Sequence, residues 1–326
     1  MTTLHRHDVS GRPATEAAGR APRRPLPPLR SLAPLRSPRR RGIGATGWAF
    51  LLPTILVFGY FAWWPIARSV VLSFQSTNLV DPPEWVGLSN FVHLFQDPLL
   101  WTTVRNTVWF VLLALVLGFP LPVLLAVVMS ELRRFGGLFR VLVYLPVAVP
   151  PVVAVLMWKW FYDPDFGLFN QVLGLVGLGP LPWLQDTATA MPSLVLEATW
   201  AAAGSTVLIY LAALTSVPSE LYEAAEIDGA SIWRKFWHVT LPHLRGVLLI
   251  MLLLQIIGTF RVFTEPFVLT DGGPEDSTVT ILLLIYRYAF VHGDYGMAAA
   301  LGVLLAAALG VVSGVYLRVT RRWSNA

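Results

Sequence analysis

Six runs of this chain are too long and too apolar to sit anywhere but in a bilayer or among other helices. They read WAFLLPTILVFGYFAWWPIARSVVL (48–72), NTVWFVLLALVLGFPLPVLLAVVM (106–129) and FRVLVYLPVAVPPVVAVLMWKWFY (139–162) in the first half. The second half has PSLVLEATWAAAGSTVLIYLAAL (192–214), LRGVLLIMLLLQIIGTFRVFTEP (244–266) and YGMAAALGVLLAAALGVVSGVYL (295–317). Each approaches or exceeds the about 20 residues that a helix needs to cross a bilayer's hydrocarbon. With no water at hand, backbone N–H and C=O groups must be satisfied inside the segment, and a helix does that. The apolar residues surround each run instead of forming one stripe, which suits lipid or a bundle better than a water-facing surface. The expected fold class is therefore an all-α integral membrane protein with six transmembrane helices.

Other classes of function lose ground on the same reading. Only 13% of the 326 residues are charged, about half the usual share of a soluble domain. The chain has no cysteine, which excludes disulfides, thiolate metal sites and a cysteine nucleophile. Its six histidines are scattered without metal-ligand spacing, and it contains no HExxH, GxSxG, Walker A or GxGxxG motif. No catalytic residue, metal site or cofactor is expected in this chain.

The positive charge belongs to one end. Residues 1–47 hold ten arginines against Asp8 and Glu16, whereas the remainder has fourteen Lys/Arg against seventeen Asp/Glu. Rich in proline and arginine and poor in large apolar side chains, residues 1–45 cannot bury enough surface to offset their chain entropy and are expected to be disordered. A nucleic-acid arm or a transit peptide would share this composition, but a cytoplasmic anchor flanking the first span explains it more simply, and no nucleic acid is expected as a partner. Arg39-Arg40-Arg41 resembles a twin-arginine signal, although no small-residue cleavage site follows and the first run is long enough to stay as a span. Residues 46–326 would form the membrane domain.

Lys/Arg placement orients the spans. With a cytoplasmic N-terminus, nineteen basic residues fall in the inner segments, among them Arg133, Arg134, Arg140, Arg234, Lys235 and Arg245, and Arg287 alone lies clearly outside. This bias puts both termini in the cytoplasm. Prolines 120, 122, 146, 150 and 151 fall within the second and third runs. They fit either ordinary kinks or a bundle built to change shape.

One polar stretch interrupts the second half on the cytoplasmic side: PSELYEAAEIDGASIWRKFWHVTLPHLRG (218–246). Ser219 is suited to cap a helix, Glu220 and Glu223 would sit near its positive end, and Gly229 can end it in left-handed geometry. Ile232, Trp233, Phe236 and Trp237 resume a helical pattern that Pro242 would close. A helix–glycine turn–helix knob with small Ala224 and Ala225 on its first helix has the character of a docking element.

Glu223-Ala224-Ala225, three residues, Gly229, nine residues, then Val239-x-Leu241-Pro242 resembles the EAA loop of permease subunits in ABC importers. GLSNF (87–91), NTVWF (106–110), PPVVAVLMWKWFYDPDFGLFNQVLG (150–174), VLTDGGPEDST (268–278) and FVHGDYGMAAALG (290–302) are similar to the sugar-type branch, the maltose and glycerol-3-phosphate class. The resemblance runs from about residue 45 to the C-terminus. It implies the type I ABC importer permease fold in a bacterial inner membrane, with the coupling loop at 218–242. It also implies a second homologous permease, an ATPase subunit dimer that binds the ATP and Mg, an extracytoplasmic solute-binding protein, and a lipid surround. Glu223, Ala224, Ala225, Asp228, Gly229, Leu241 and Pro242 would make the ATPase-coupling site. Glu223 would pair with a basic group, Gly229 would form the bend, and Leu241-Pro242 would fix the exit into the fifth span.

The family's solute path lies between the spans flanking that loop. Polar groups inside a membrane are expensive and so point to function. In the fourth span they are Glu197, Trp200, Ser205, Thr206 and Tyr210; in the fifth, Gln255, Thr259 and Arg261. A ring with hydrogen-bonding neighbours suits a sugar, although serine and threonine can equally bond their own helix and Trp200 can simply pack. A glycerophosphate-type or other polyol solute fits the same architecture. An ion-coupled carrier would call for acidic or histidine residues at the span centres. Glu197 and Arg261, each about five residues from the outer end of its run, are expected either to pair across the path or to snorkel separately.

Overall fold

The computed structural model describes residues 45–131 and 136–324. The chain divides into two units, Met1–Leu56 and Val57–Ala326. Of the first, only its helical C-terminal part is described, with Pro53 inside the helix. The arginine-rich tail lies outside the described residues.

Five helices are long and apolar enough to cross a membrane: Gly47–Leu72, Pro98–Glu131, Thr187–Leu214, Ile232–Phe260 and Tyr295–Arg321. A sixth span forms if the bent pair Gly137–Ala148 and Pro151–Phe161 counts as one, and the two halves meet at 99°. The break falls at Val149-Pro150, where consecutive prolines remove two donors and hold Pro150 extended at φ −55°, ψ 134°. The third run is thus a corner, not a gently kinked rod.

The fourth span is the central post. Thirteen of its residues are buried, more than on any other described helix. Its C-terminal half packs Val207, Tyr210 and Leu211 against Val123 and Ala126 of the second span and Leu244 and Leu248 of the fifth. Its N-terminal half packs Met191, Leu194 and Val195 against Phe110, Trp158 and Tyr162. Gly204 lets the third span come close. A Cβ there would lie 2.3 Å from the Val143 carbonyl oxygen, the small-residue contact by which membrane helices approach.

Helix boundaries depart from those expected in instructive ways. The fourth span starts at Thr187, five residues before the expected 192, because Asp186 caps it by accepting from the Ala188 N–H at 2.7 Å. Pro192 falls inside the helix. The fifth helix stops at Phe260, short of the expected 266, so Arg261 terminates the helix and does not lie within it. In the polar 218–246 stretch, Pro218 takes the N-cap position of helix Ser219–Ile227 with no side-chain bond, so Ser219 is not its cap. Ser231 does cap, on the next helix. Nor does Pro242 close that second helix. Ile232–Phe260 runs through it, and a widened turn at Phe236–Thr240, in which the Leu241 N–H reaches the Phe236 carbonyl, absorbs the missing donor.

The loops at the end of the bundle opposite the 218–242 hairpin are tied down by side-chain bonds to backbone carbonyls and amides. Asn106 donates to the carbonyls of Asp276 (2.7 Å) and Val279 (3.1 Å), and Thr107 accepts from the Ile281 N–H. Arg287 bonds Asp276 and the Asp271 carbonyl. Asn90 donates to the carbonyls of Ser73 and Gln75, beside a two-residue antiparallel pairing of Gln75–Ser76 with Glu84–Trp85. Asn170 clamps Pro164, Leu181 and Trp183. A short apolar helix, Ile281–Val291, buries Ile281 and Leu284 against the sixth span. It was not foreseen in the sequence.

Candidate functional site

Two places combine unusual sequence with unusual geometry. The first is the polar hairpin of the 218–242 stretch. Helix Ser219–Ile227 ends with Asp228 as C-cap and Gly229 at φ +69°. The Ala230 N–H bonds the Ala225 carbonyl at 2.9 Å and the Gly229 N–H bonds the Glu226 carbonyl at 3.0 Å. This paired closure is the Schellman motif, which needs a left-handed residue where glycine stands. No atom lies within 4 Å of a Cβ built on Gly229, so the requirement is one of backbone shape alone.

Two side-chain bonds lock the hairpin to the root of the fifth span. Tyr222 Oη lies 3.0 Å from Thr240 Oγ1, and Lys235 donates to Glu226 at 2.8 Å. Glu223, Ala224, Asp228 and Pro242 are exposed, while Ala225 and Leu241 are half-buried. Ile227 is 87% and Trp233 65% exposed, so the polar knob presents apolar side chains as well.

The second place is a cavity of about 470 Å³ between the second, fourth and fifth spans. Thr199, Ala202, Ala203 and Thr206 line it from the fourth span, at the i, i+3, i+4, i+7 spacing of one helix face. The fifth span contributes Gln255 and Thr259; beyond its end come Arg261, Thr264 and Glu265. Gln255 donates to the Ala114 carbonyl at 2.8 Å. That carbonyl sits in a widened turn of the second span, where it also accepts from Phe119 at 3.1 Å. Thr259 donates back to its own helix.

Of the expected path residues, Thr206, Gln255, Thr259 and Arg261 meet in this wall; Glu197, Trp200, Ser205 and Tyr210 do not. Ser205 is exposed and bonds the Ala202 carbonyl of its own helix. Trp200 packs on Trp158, ring centroids 5.5 Å apart. Tyr210 is fully buried in the inner core. Glu197 is 1% exposed, with neither carboxylate oxygen hydrogen-bonded. Neither ion pair found among the described residues joins Glu197 to Arg261. Polarity alone selected these four; helical phase would have rejected them. The same phase test finds Thr199. Thr264 and Glu265 lay beyond it, since their placement depends on where the fifth helix stops.

The comparisons with known proteins agree with this architecture. Residues 118–325 match the family model described as "Binding-protein-dependent transport system inner membrane component". The trehalose/maltose transport system permease protein MalF of Thermococcus litoralis is 33% identical over 84% of this chain and 93% of its own length. The arabinooligosaccharides transport system permease protein AraP of Halalkalibacterium halodurans is 34% identical over 84% of this chain and 87% of its own length. Among solved structures, a bacterial alginate ABC transporter in complex with an alginate pentasaccharide-bound periplasmic protein contains a chain that superposes with a TM-score of 0.75. That chain is 28% identical, and the match covers 84% of this chain and 93% of that one.

Proposed function

We propose that this chain, which belongs to the family of binding-protein-dependent transport system inner membrane components, forms one half of the path of an ATP-driven importer for a sugar or sugar-like solute. It is a multi-pass inner membrane protein and a transport component. Its finer assignments are that a second, related permease completes the path, that an ATPase dimer seats on the 218–242 hairpin, and that a binding protein delivers solute to the opposite face. The nineteen-to-one distribution of basic residues supports cytoplasmic termini and a cytoplasmic hairpin.

The observation that carries the coupling role is mechanical continuity. Helix Ser219–Ile227 is fastened at Tyr222–Thr240 and Glu226–Lys235 to a helix that runs from Ile232 to Phe260. A push on the exposed Glu223-Ala224 face therefore tilts the whole fifth span, which bears Gln255 and Thr259 of the cavity wall. Moving that wall against the fourth span opens or closes the cavity without chemistry in this chain.

The cavity suits a hydroxyl-rich solute. Threonines, a glutamine, an arginine and a carboxylate are spaced through walls of alanine, leucine, methionine and phenylalanine, so donors and acceptors alternate with apolar surface. The saccharides named for the two relatives and the alginate transporter support the sugar class. The test is uptake and ATP hydrolysis by the assembled complex carrying Tyr222→Phe with Lys235→Met. Hydrolysis is expected to persist while uptake per ATP falls severalfold; unchanged uptake would refute the force path.

A further inference from the structure

A second cavity, of about 620 Å³, opens between the outer ends of the second and fourth spans and the 275–277 loop. It adjoins the first along one face of the fourth span, where Thr187 and Met191 belong to the outer cavity and Ala198 and Ala202 to the inner. On the second span only Asn106 continues the stripe of Phe110, Ala114 and Gly118, about 12 Å from Ala114 at 1.5 Å per residue; Arg105, Val108, Trp109 and Leu112 line the outer cavity from the opposite face. Between them lies the buried layer of Phe110, Met191, Leu194 and Val195. The outer cavity is thus a vestibule closed from the inner one by packed side chains.

Its walls are unlike a lipid-facing groove. Trp109, 49% exposed, stands one turn from Arg105, and Glu275 faces in from the loop. Neither Arg105 nor Glu275 takes part in the ion pairs found among the described residues. Ser277 lines the same cavity, with its hydroxyl itself buried and without a hydrogen-bond partner. A buried hydroxyl left unpaired is uncommon and calls for a partner. An indole face flanked by a guanidinium and a carboxylate matches a sugar ring, whose C–H face stacks while its edge takes hydrogen bonds.

The geometry points to a saccharide subsite in this vestibule: one sugar unit rests on Trp109, with Arg105 and Glu275 on its hydroxyls, outward of the main cavity. The subsite rests on the sugar reading above and extends it to chains longer than one unit. A solute threaded outer end first would leave a unit here while its leading unit waits on the Phe110–Met191 layer.

Because the chain has no cysteine, a single thiol reports the site cleanly. Thr187→Cys, with Val108→Cys as the second reporter should the first fail to assemble, is labelled with a membrane-impermeant thiol reagent in the assembled complex. Labelling is repeated with maltotriose, arabinotriose or an alginate trisaccharide present, alongside uptake of the same three. At least one saccharide is expected to slow labelling severalfold, and Trp109→Ala is expected to raise the half-protecting concentration roughly tenfold. Uptake without protection at either reporter overturns the subsite and leaves the sugar reading standing. Protection that survives Trp109→Ala with Arg105→Gln also overturns it. Neither uptake nor protection with any of the three overturns both.

Discussion

Two glycines do opposite jobs, and substitution tells them apart. At Gly204 the constraint is room, since a Cβ would meet the Val143 carbonyl oxygen at 2.3 Å. Gly204→Ala should force the third and fourth spans apart and lower the denaturation temperature of the purified complex. At Gly229 the constraint is φ. Gly229→Val should cost about 1–2 kcal/mol locally, loosening the hairpin while the bundle keeps its melting temperature, and Gly229→Asn should be milder. Glu197 offers a third contrast. Because its buried carboxylate lacks a hydrogen bond here, removing the charge relieves a desolvation cost. Glu197→Gln should therefore preserve or raise thermal stability, whereas Arg261→Gln, in the cavity wall, should impair uptake. Uptake lost equally in both would restore the idea that the two act as a pair.

At the scale of elements, what the sequence told depended on how local the cause was. Run length and apolarity mark a span whatever surrounds it, so the spans were legible. The helix–Gly–helix hairpin was legible too, because Gly229 announces its own turn. Tertiary causes were not. The 99° corner needs the Val149-Pro150-Pro151 strain to be relieved by packing, and the widened turns depend on which neighbour takes the freed carbonyl, as Gln255 does for Ala114. Ile281–Val291 escaped because it is too short to span and reads as part of a loop. The locks on the outer loops are elements of the same kind. Asn106→Leu would strip the carbonyls of Asp276 and Val279 of their side-chain donor, at about 1–3 kcal/mol. Limited proteolysis should then cut the 268–278 loop sooner; an unchanged cleavage rate would show that the loop is held from elsewhere.

For the molecule as a whole, the account joins an orientation to a direction of force. A periplasmic reporter fused after Gly177 should be active and one fused after Ala230 inactive, with the converse pattern for a cytoplasmic reporter; the reverse would invert the topology. The candidate cavity was half legible. Thr206, Gln255, Thr259 and Arg261 were found from polarity, whereas Thr199, Ala202 and Ala203 of the fourth-span wall emerge only once its helical phase is known. The central claim is that ATPase motion enters through the exposed face of helix Ser219–Ile227 and leaves as movement of the cavity wall. Its most direct measurement is solute-stimulated ATP hydrolysis and uptake by the reconstituted complex carrying Ala224→Arg, which places a long charged side chain where only a small one is exposed. The account predicts loss of both, on the order of tenfold or more, with the permease still inserted and melting normally; full uptake and stimulation would contradict it.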